Sequence, residues 1–434
     1  MPSSESVYAS TENLYLTYTK YISDYQLRMA VAKDLIFDRL SASQKERINN
    51  INVIDSSILS DDEKANKINQ VIDGYFASLN DSERETLGKQ LDEEFSKRYQ
   101  DVYKELEKTV VHKIKLNGDQ LDYVGSGEVS GRILNQYSLD ENNGYFRIAT
   151  TRGQSWIMPF MSLRPNIMPP AQTQESYNNL YVLDSNLSVV GSAENFAQGE
   201  KIYSVRFIGD RGYVVTFKQV DPLFVFDLSK PTSPTMIGQI KIPGFSSYLH
   251  PYGEKMLIGI GKEVTDNGAQ GITVQGLKIS LFDVTDPANP KETAMLKLGG
   301  PGSDTPILYD YKAFLLINDK NSMVIPVSLT KPGSNNYMPD FQGAIVFNLA
   351  KDKITELGRV FHTLQDKTTG YDVQIQRSLF IGDYLYTKSQ TALGINKLDN
   401  LSFIKQVNLP STATVVSGSS GVPVPVTIEN VKIK

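Results

Sequence analysis

A short signature followed by a proline-rich turn recurs along this chain, and it limits the possible folds more than any other feature. Phe226-Asp227-Leu228-Ser229 runs into KPTSP, and Phe282-Asp283-Val284-Thr285 runs into DPANP. Val182-Leu183-Asp184-Ser185 precedes them, and Phe347-Asn348-Leu349 follows. Equivalent positions 184, 227, 283, 348 and 396 are spaced by 43, 56, 65 and 48 residues. The two wide intervals hold loop-like stretches, the Gly-rich Lys262–Gly276 and a segment, Ser328–Phe341, that contains KPGSNNYMPD. Without them the period is roughly 40–50 residues, the length of a repeat that stacks against its neighbours.

The stretch Glu200–Pro243 shows what one repeat contains. KIYSVRFIGD, RGYVVTF, PLFVFDLS and TMIGQIKI are four runs rich in Val, Ile, Phe and Tyr, separated by Gly, Asp and Pro. Such runs read as consecutive antiparallel strands. The architecture expected is therefore all-β: a β-propeller of about six four-stranded blades. Their expected limits are Ser6 to about Gly131, Ile133–Phe196, Gly199–Pro243, Phe245–Gly299, Asp304–His362 and Val373–Pro410. Strands buried on both faces should be apolar throughout rather than alternating. In the FDLS and FDVT turns, Asp227 and Asp283 are expected to accept local backbone amides, a structural role.

One segment breaks the pattern. Residues 21–108 contain 18 acidic and 13 basic residues, two glycines and no proline. The remainder of the chain holds all 20 prolines and the other glycines of the 31. Ile68, Val71, Ile72, Tyr75, Phe76 and Leu79 form one helical stripe; Leu87, Leu91, Phe95, Tyr99, Val102 and Leu106 form a second; Leu27, Val31 and Leu35 begin a third. Ser60 with Glu63 and Asn80 with Glu83 have the spacing of capping boxes. The expected organisation is a propeller domain at 1–20 and 109–410, an inserted helical subdomain of three or four helices at 21–108, and a C-terminal tail or linker at 411–434.

Longer strings carry a family resemblance. They are GEVSGRILNQYSLDENNGYFRIATT at Gly127–Thr151, NNLYVLDSNLSVVG, GEKIYSVRFIGDRGYVVTFKQVDPLFVFDLS, IPGFSSYLHPY and SLFDVTDPANPKE. The chain resembles the archaeal and bacterial secreted β-propeller domain family, which is distantly related to WD-type repeats. The resemblance implies a propeller acting outside the cytoplasm, as a secreted or cell-surface protein, with no cofactor and no established enzymatic activity. The N-terminus, MPSSESVYAS, has neither the basic start nor the apolar stretch of a secretory signal.

Composition excludes several chemistries. With no cysteine there is no disulfide, thiolate site, cysteine nucleophile or Fe–S cluster. A net charge of −5 gives no basic footprint for nucleic acid. No apolar run approaches the ~18 residues of a membrane helix. The three histidines, His112, His250 and His362, have no metal-site spacing. There is no G-x-S-x-G elbow and no phosphate loop. The glycines of IGIGKE read as close strand packing. A metal in the central channel is left open.

Two groups of residues remain as candidates. Asn135, Gln136, Asp140, Glu141 and Arg147 lie in or beside the first two strands of the second unit, and Arg206, Asp210, Arg211, Gln219 and Asp221 hold related positions in the third; first strands line the central channel, so polar residues on them could converge near one mouth. The favoured reading is structural, as channel-lining and hairpin-capping groups that hydrogen-bond one another; for ligand binding, the candidates are Asn135, Gln136, Asp140, Arg147, Arg206, Gln219 and Asp221. His250, in YLHPYGE and expected between the first two strands of its blade, joins them. The second group is the loop Gly153–Tyr177, which carries the only tryptophan; its favoured reading is that it folds back over the propeller, plugs it or packs on the helical segment, and Trp156, Phe160 and Met161 are its candidates for partner binding. The expected function is a non-catalytic scaffold for an unknown protein or glycan partner. The alternative is a propeller hydrolase acting on extracellular glycans or esters, with Asp140, Glu141 and Asp221 as its acids.

Overall fold

The structure, a computed structural model, describes residues 6–21, 24–102, 107–153, 155–157, 172–217, 221–267, 271–333, 339–363 and 373–409. Its strands form six four-stranded antiparallel sheets in chain order, the blades of a propeller. Blade one is β1 Ser6–Ala9, β2 Asn13–Tyr21, β3 Glu107–Asn117 and β4 Gln120–Ser130. Between β2 and β3 lie four helices, α1 Asp24–Ile36, α2 Ala42–Asn52, α3 Asp61–Ser78 and α4 Asp81–Val102. Tyr21, Glu107 and Lys108, expected at the ends of the helical segment, instead extend the strand pair, with Tyr21 opposite Glu107 and Lys20 opposite Lys108.

Blade two comprises β5 Leu139–Asn142, β6 Tyr145–Arg152, β9 Tyr177–Leu183 and β10 Val189–Phe196. A ribbon of β7 Ser155–Ile157 and β8 Gln172–Gln174 stands between its second and third strands. Blade three is β11 Lys201–Ile208, β12 Arg211–Phe217, β13 Asp221–Asp227 and β14 Thr235–Ile242. Blade four is β15 Phe245–Tyr252, β16 Met256–Asp266, β17 Ile272–Asp283 and β18 Lys291–Leu298. The expected loop Lys262–Gly276 is mostly ladder, paired as far out as Asp266 with Ile272. Blade five is β19 Leu315–Ile317, β20 Ser322–Leu329, β21 Phe341–Ala350 and β22 Lys353–Val360. Blade six is β23 Arg377–Ile381, β24 Tyr384–Lys388, β25 Ala392–Lys397 and β26 Phe403–Asn408. Residues 411–434 lie outside the described residues.

Burial explains the sequence pattern. The middle strands of inner blades are buried in long unbroken runs, as in all of β9 and in β12 after Arg211, because each face meets another blade. Five apolar clusters fill the five seams between consecutive blades. Tyr15 and Val111 meet Phe146 and Ile148 at the first seam; Val324 and Val346 meet Leu385 and Ile375 at the last. The signature turns behave as expected: Asp227 Oδ1 accepts Ser229 N at 3.0 Å, and Asp283 Oδ1 accepts Thr285 N at 2.9 Å.

A glycine in the fourth strand sets how blades stack. A Cβ on Gly191 would run into Pro231 O, and one on Gly238 into Pro287 O, each in the proline turn of the following blade. Gly358 likewise lies under Leu401, whose side chain would be 2.8 Å from an added Cβ. The proline turn of one blade rests on bare backbone of the one before it, a close approach open only to glycine. Gly261, in IGIGKE, is of the same kind within blade four, pressed against Phe245 O.

The helices pack around Val31, Ile36, Ile48, Ile72, Leu91 and Phe95. Both expected caps form: Ser60 with Glu63, and Asn80 with Glu83, whose amide donates to Asn80 Oδ1 at 3.0 Å. Ser41 with Gln44 adds a third. Leu106 and the side chains of Tyr99 and Val102 lie outside the described residues. Tyr177, first residue of β9, belongs to the same cluster, so the bundle leans on blade two although it is tethered to blade one.

Candidate functional site

Antiparallel order places the connection between second and third strands at the same rim in every blade. From this rim lead off the helices between β2 and β3, the ribbon between β6 and β9, the extended hairpin of β16 and β17, and residues 330–333 after β20. The long additions to the repeat therefore decorate one face of the propeller.

Two clefts flank the first segment of blade two. The one on the decorated rim has a volume of about 530 Å³ and is lined by Tyr21, Arg132, Asn135, Lys201, Tyr203 and Ser247, among others. Lys201 is exposed and pairs with no carboxylate among the described residues. Arg132 Nε stands 3.7 Å from Glu107 Oε1. The opposite cleft, about 380 Å³, is lined by Tyr8, Gln136, Tyr137, Asp140, Arg206 and Phe207, among others. A 3-10 turn at Gln136–Ser138 stands between the two, started by Asn135, whose Oδ1 accepts Tyr137 N at 2.9 Å.

The carboxylates here are spoken for. Arg147, almost fully buried, donates from Nε to Asp140 Oδ2 at 2.8 Å and from Nη1 to Gly209 O at 2.6 Å, and its Nη2 also reaches Asp140. Glu141 accepts from Ser10 Oγ and, at 2.7 Å, from Asn13 Nδ2. Asp210 accepts from Asn142 Nδ2 at 3.1 Å, and Arg211 pairs with Asp227. Charges removed from water need such partners, and these pairs join blades one, two and three. Gln219 and the side chain of Asp221 lie outside the described residues; the backbone of Asp221 opens β13 opposite Ile242.

Arg206 differs. Its guanidinium lies 4.5 Å from the centre of the Tyr137 ring and has no carboxylate partner among the described residues. Tyr137 in turn packs edge-on against Tyr248 and Tyr311, with centroids 6.0 and 5.2 Å away. His250 lies in the first strand, β15, opposite Ile258, and not in the turn after it. The hairpin is tighter than YLHPYGE suggests, because Pro251 and Tyr252 stay in the ladder. Its Nδ1 is 2.8 Å from Tyr248 Oη, and its ring is 4.6 Å from that of Phe314. Burial, aided by the Arg206 charge, lowers the imidazole pKa from 6.5 to about 4. Burial also raises the Tyr248 hydroxyl pKa, so it remains protonated beside Nδ1.

The residues missed in the sequence are these aromatics. Tyr137, Tyr203, Tyr248 and Tyr311 fall on or just before the first strands of four consecutive blades, and that repetition was their signal. The other histidines stand apart. His112 stacks on Tyr18, and His362 is buried between Ser389 Oγ at 2.9 Å and Thr387 Oγ1 at 3.0 Å. Among the described residues no three His, Asp or Glu side chains gather as metal ligands, and no helix is long and apolar enough to cross a membrane. Trp156 is the middle residue of β7, paired with Thr173; Phe160 and Met161 lie outside the described residues.

Comparison with known proteins gives the lineage. A model of the β-propeller domain matches residues 1–401. An uncharacterized protein of Methanocaldococcus jannaschii is 34% identical over 402 residues, which are 93% of this chain and 56% of that protein. One of Archaeoglobus fulgidus is 34% identical over 346 residues, 78% of this chain and 48% of that protein. The chain thus spans about half the length of these relatives. Among solved structures, the Neurospora crassa Pan2 WD40 domain aligns with 68% of this chain and 73% of its own, at 8% identity and a TM-score of 0.35.

Proposed function

Because this chain belongs to the β-propeller domain family, we propose that it is a non-catalytic scaffold that binds a protein or glycan outside the cytoplasm. One observation carries the reading: the long inserts leave the same rim, around a cleft of about 530 Å³ lined by tyrosines, Asn135, Arg132 and Lys201. Loops held by a rigid framework are where recognition concentrates. Tyrosine and arginine offer broad contact area and directed hydrogen bonds. Lys201, without a carboxylate partner among the described residues, favours a ligand with anionic groups. On the opposite side, Arg206 on Tyr137 offers a second anion contact beside Gln136 and Asp140.

The hydrolase alternative has less support. Paired acids for glycoside cleavage need one free carboxylate and one held protonated. Asp140 and Glu141 are both engaged as acceptors from neighbouring side chains.

The test is an array of neutral and acidic oligosaccharides and acidic peptides, probed with the wild type and with the double variant Arg132→Ala/Lys201→Ala. Binding to acidic members that the variant loses, while Arg206→Ala keeps it, supports the decorated rim. Loss in Arg206→Ala alone moves the site to the opposite cleft. No binding at all, together with turnover of any glycoside or ester, would reject the scaffold. Fractionation of producing cells tests the compartment, and protein confined to the cytosol contradicts it.

A further inference from the structure

The inner blades bury both faces, but blades one and six do not. In β2 the burial alternates: Asn13, Tyr15 and Thr17 face blade two and are buried, while Leu14, Leu16 and Tyr18 between them are only half-buried. Strand register extends that outer face to Ile114 opposite Leu14, Tyr123 opposite Ile114, and Leu121 beyond it. Tyr123 and Leu121 are 62% and 67% exposed.

Blade six repeats the pattern. Leu385 and Thr387 are buried on the blade-five side, while Tyr384 and Tyr386 face the other way. The register places Ile381, Leu379, Ile395, Leu393 and Val407 on that same outer face, together with Arg377, Lys388, Lys397 and Lys405. Ile381 is 63% exposed and Leu379 49%. None of the outer-face residues named for either blade belongs to a buried cluster, and no cluster joins blade six to blade one among the described residues.

These are not ordinary solvent faces. A sheet wetted on one side alternates apolar and polar residues across its faces. Here the outer faces carry the Leu, Ile, Val and Tyr that the seams use elsewhere. The outer face of blade six repeats positions that in blade five, Val324, Ala344 and Val346, are covered by the next sheet. Contiguous exposed apolar surface of this kind marks an interface. We propose that the two faces are seats for further four-stranded blades of the same family, and that the six blades form an arc of a larger ring.

The length of the relatives favours this occupant over a second copy. About half of each relative lies outside its match to this chain, which is room for additional blades. A typical ring holds four to eight blades, so one or two more fill the opening. Blade six also restricts the occupant. Lys405 takes the place that Gly238 and Gly358 hold in other fourth strands, one residue past the register shift. An incoming blade therefore needs a short outer hairpin there, as at blade five, where β21 and β22 are joined by a two-residue turn over Ala294 and its neighbours.

The experiment compares this chain with a chimera in which it replaces the matched part of the Methanocaldococcus jannaschii relative. Hydroxyl-radical footprinting of the native Tyr18, Tyr123, Tyr384 and Tyr386 is the readout. These tyrosines should react readily in the 434-residue chain and at least several-fold more slowly in the chimera. Leu16→Asp and Tyr386→Asp should restore reactivity in the chimera and lower the melting point of the shorter chain by less than that of the chimera. Equal reactivity in both proteins overturns the proposal. So does concentration-dependent protection in this chain alone, which would make a second copy the occupant. If the chimera does not fold, the natural relative decides at its residues aligned with Tyr18 and Tyr386: protection supports the proposal, and reactivity overturns it.

Discussion

Acidification to pH 5 should expose the cost of keeping His250 neutral. The folded ring has a pKa of about 4 because burial first, and the Arg206 charge second, disfavour the imidazolium. An unfolded chain would bind the proton at 6.5. Between these values the unfolded state holds more protons, so stability rises with pH across that window and is lost as pH falls through it. At about 1.4 kcal/mol per pH unit, going from pH 7 to pH 5 costs close to ~2 kcal/mol at this site. Partial exposure of the ring, with the solvent screening it brings, reduces the expectation to roughly 1–2 kcal/mol. His362, also lowered by burial, adds to the loss in the same direction. With three histidines in the chain, each Cε1 proton can be followed by NMR, and denaturant midpoints at pH 7 and pH 5 give the stability change. His250→Gln keeps a side chain able to hydrogen-bond Tyr248 but cannot titrate, so its pH 7-to-5 loss should be smaller by that same amount. A His250 resonance that titrates near 6.5, or a His250→Gln variant as acid-sensitive as the wild type, would refute the reasoning.

Other substitutions test the framework. Gly238→Ala puts a methyl into Pro287 O and should cost more than about 2 kcal/mol in thermal denaturation, whereas Ala294→Gly in the corresponding place of blade four should cost under about 1 kcal/mol. Arg147→Ala leaves Asp140 without its buried partner and should cost about 3–5 kcal/mol, read from urea midpoints; Asp140→Asn/Arg147→Gln should recover part of it. Ser60→Ala removes one capping box and should cost about 1 kcal/mol, seen as faster hydrogen exchange in α3 with blade amides unchanged.

Much of this architecture was legible because the features that specify it are local. The FDLS and FDVT turns, the apolar runs and the capping boxes each carry their own geometry within a few residues. The six blades and the helices after the second strand could therefore be read from the sequence. The candidate site was less legible because its partners are distant in sequence. Nothing near Glu141 announces that Ser10 and Asn13 hold it, and nothing beside Tyr137 shows Arg206 lying on its ring. His250 was expected in a turn because HPYG looks like one, yet cross-strand pairing kept Pro251 and Tyr252 in the ladder. The open faces of blades one and six depend on what is absent beside them, which no local pattern records.

The helical body hangs from β2 and β3 of blade one and rests on Tyr177 of blade two. A strut fixed at two points on either side of a joint cannot swing without working that joint. The joint in question is the first seam, where Tyr15 stacks on Phe146 with ring centres 4.2 Å apart, and residues from both of its sides line both clefts. A pull or push on the helices is therefore delivered to the walls of the two openings.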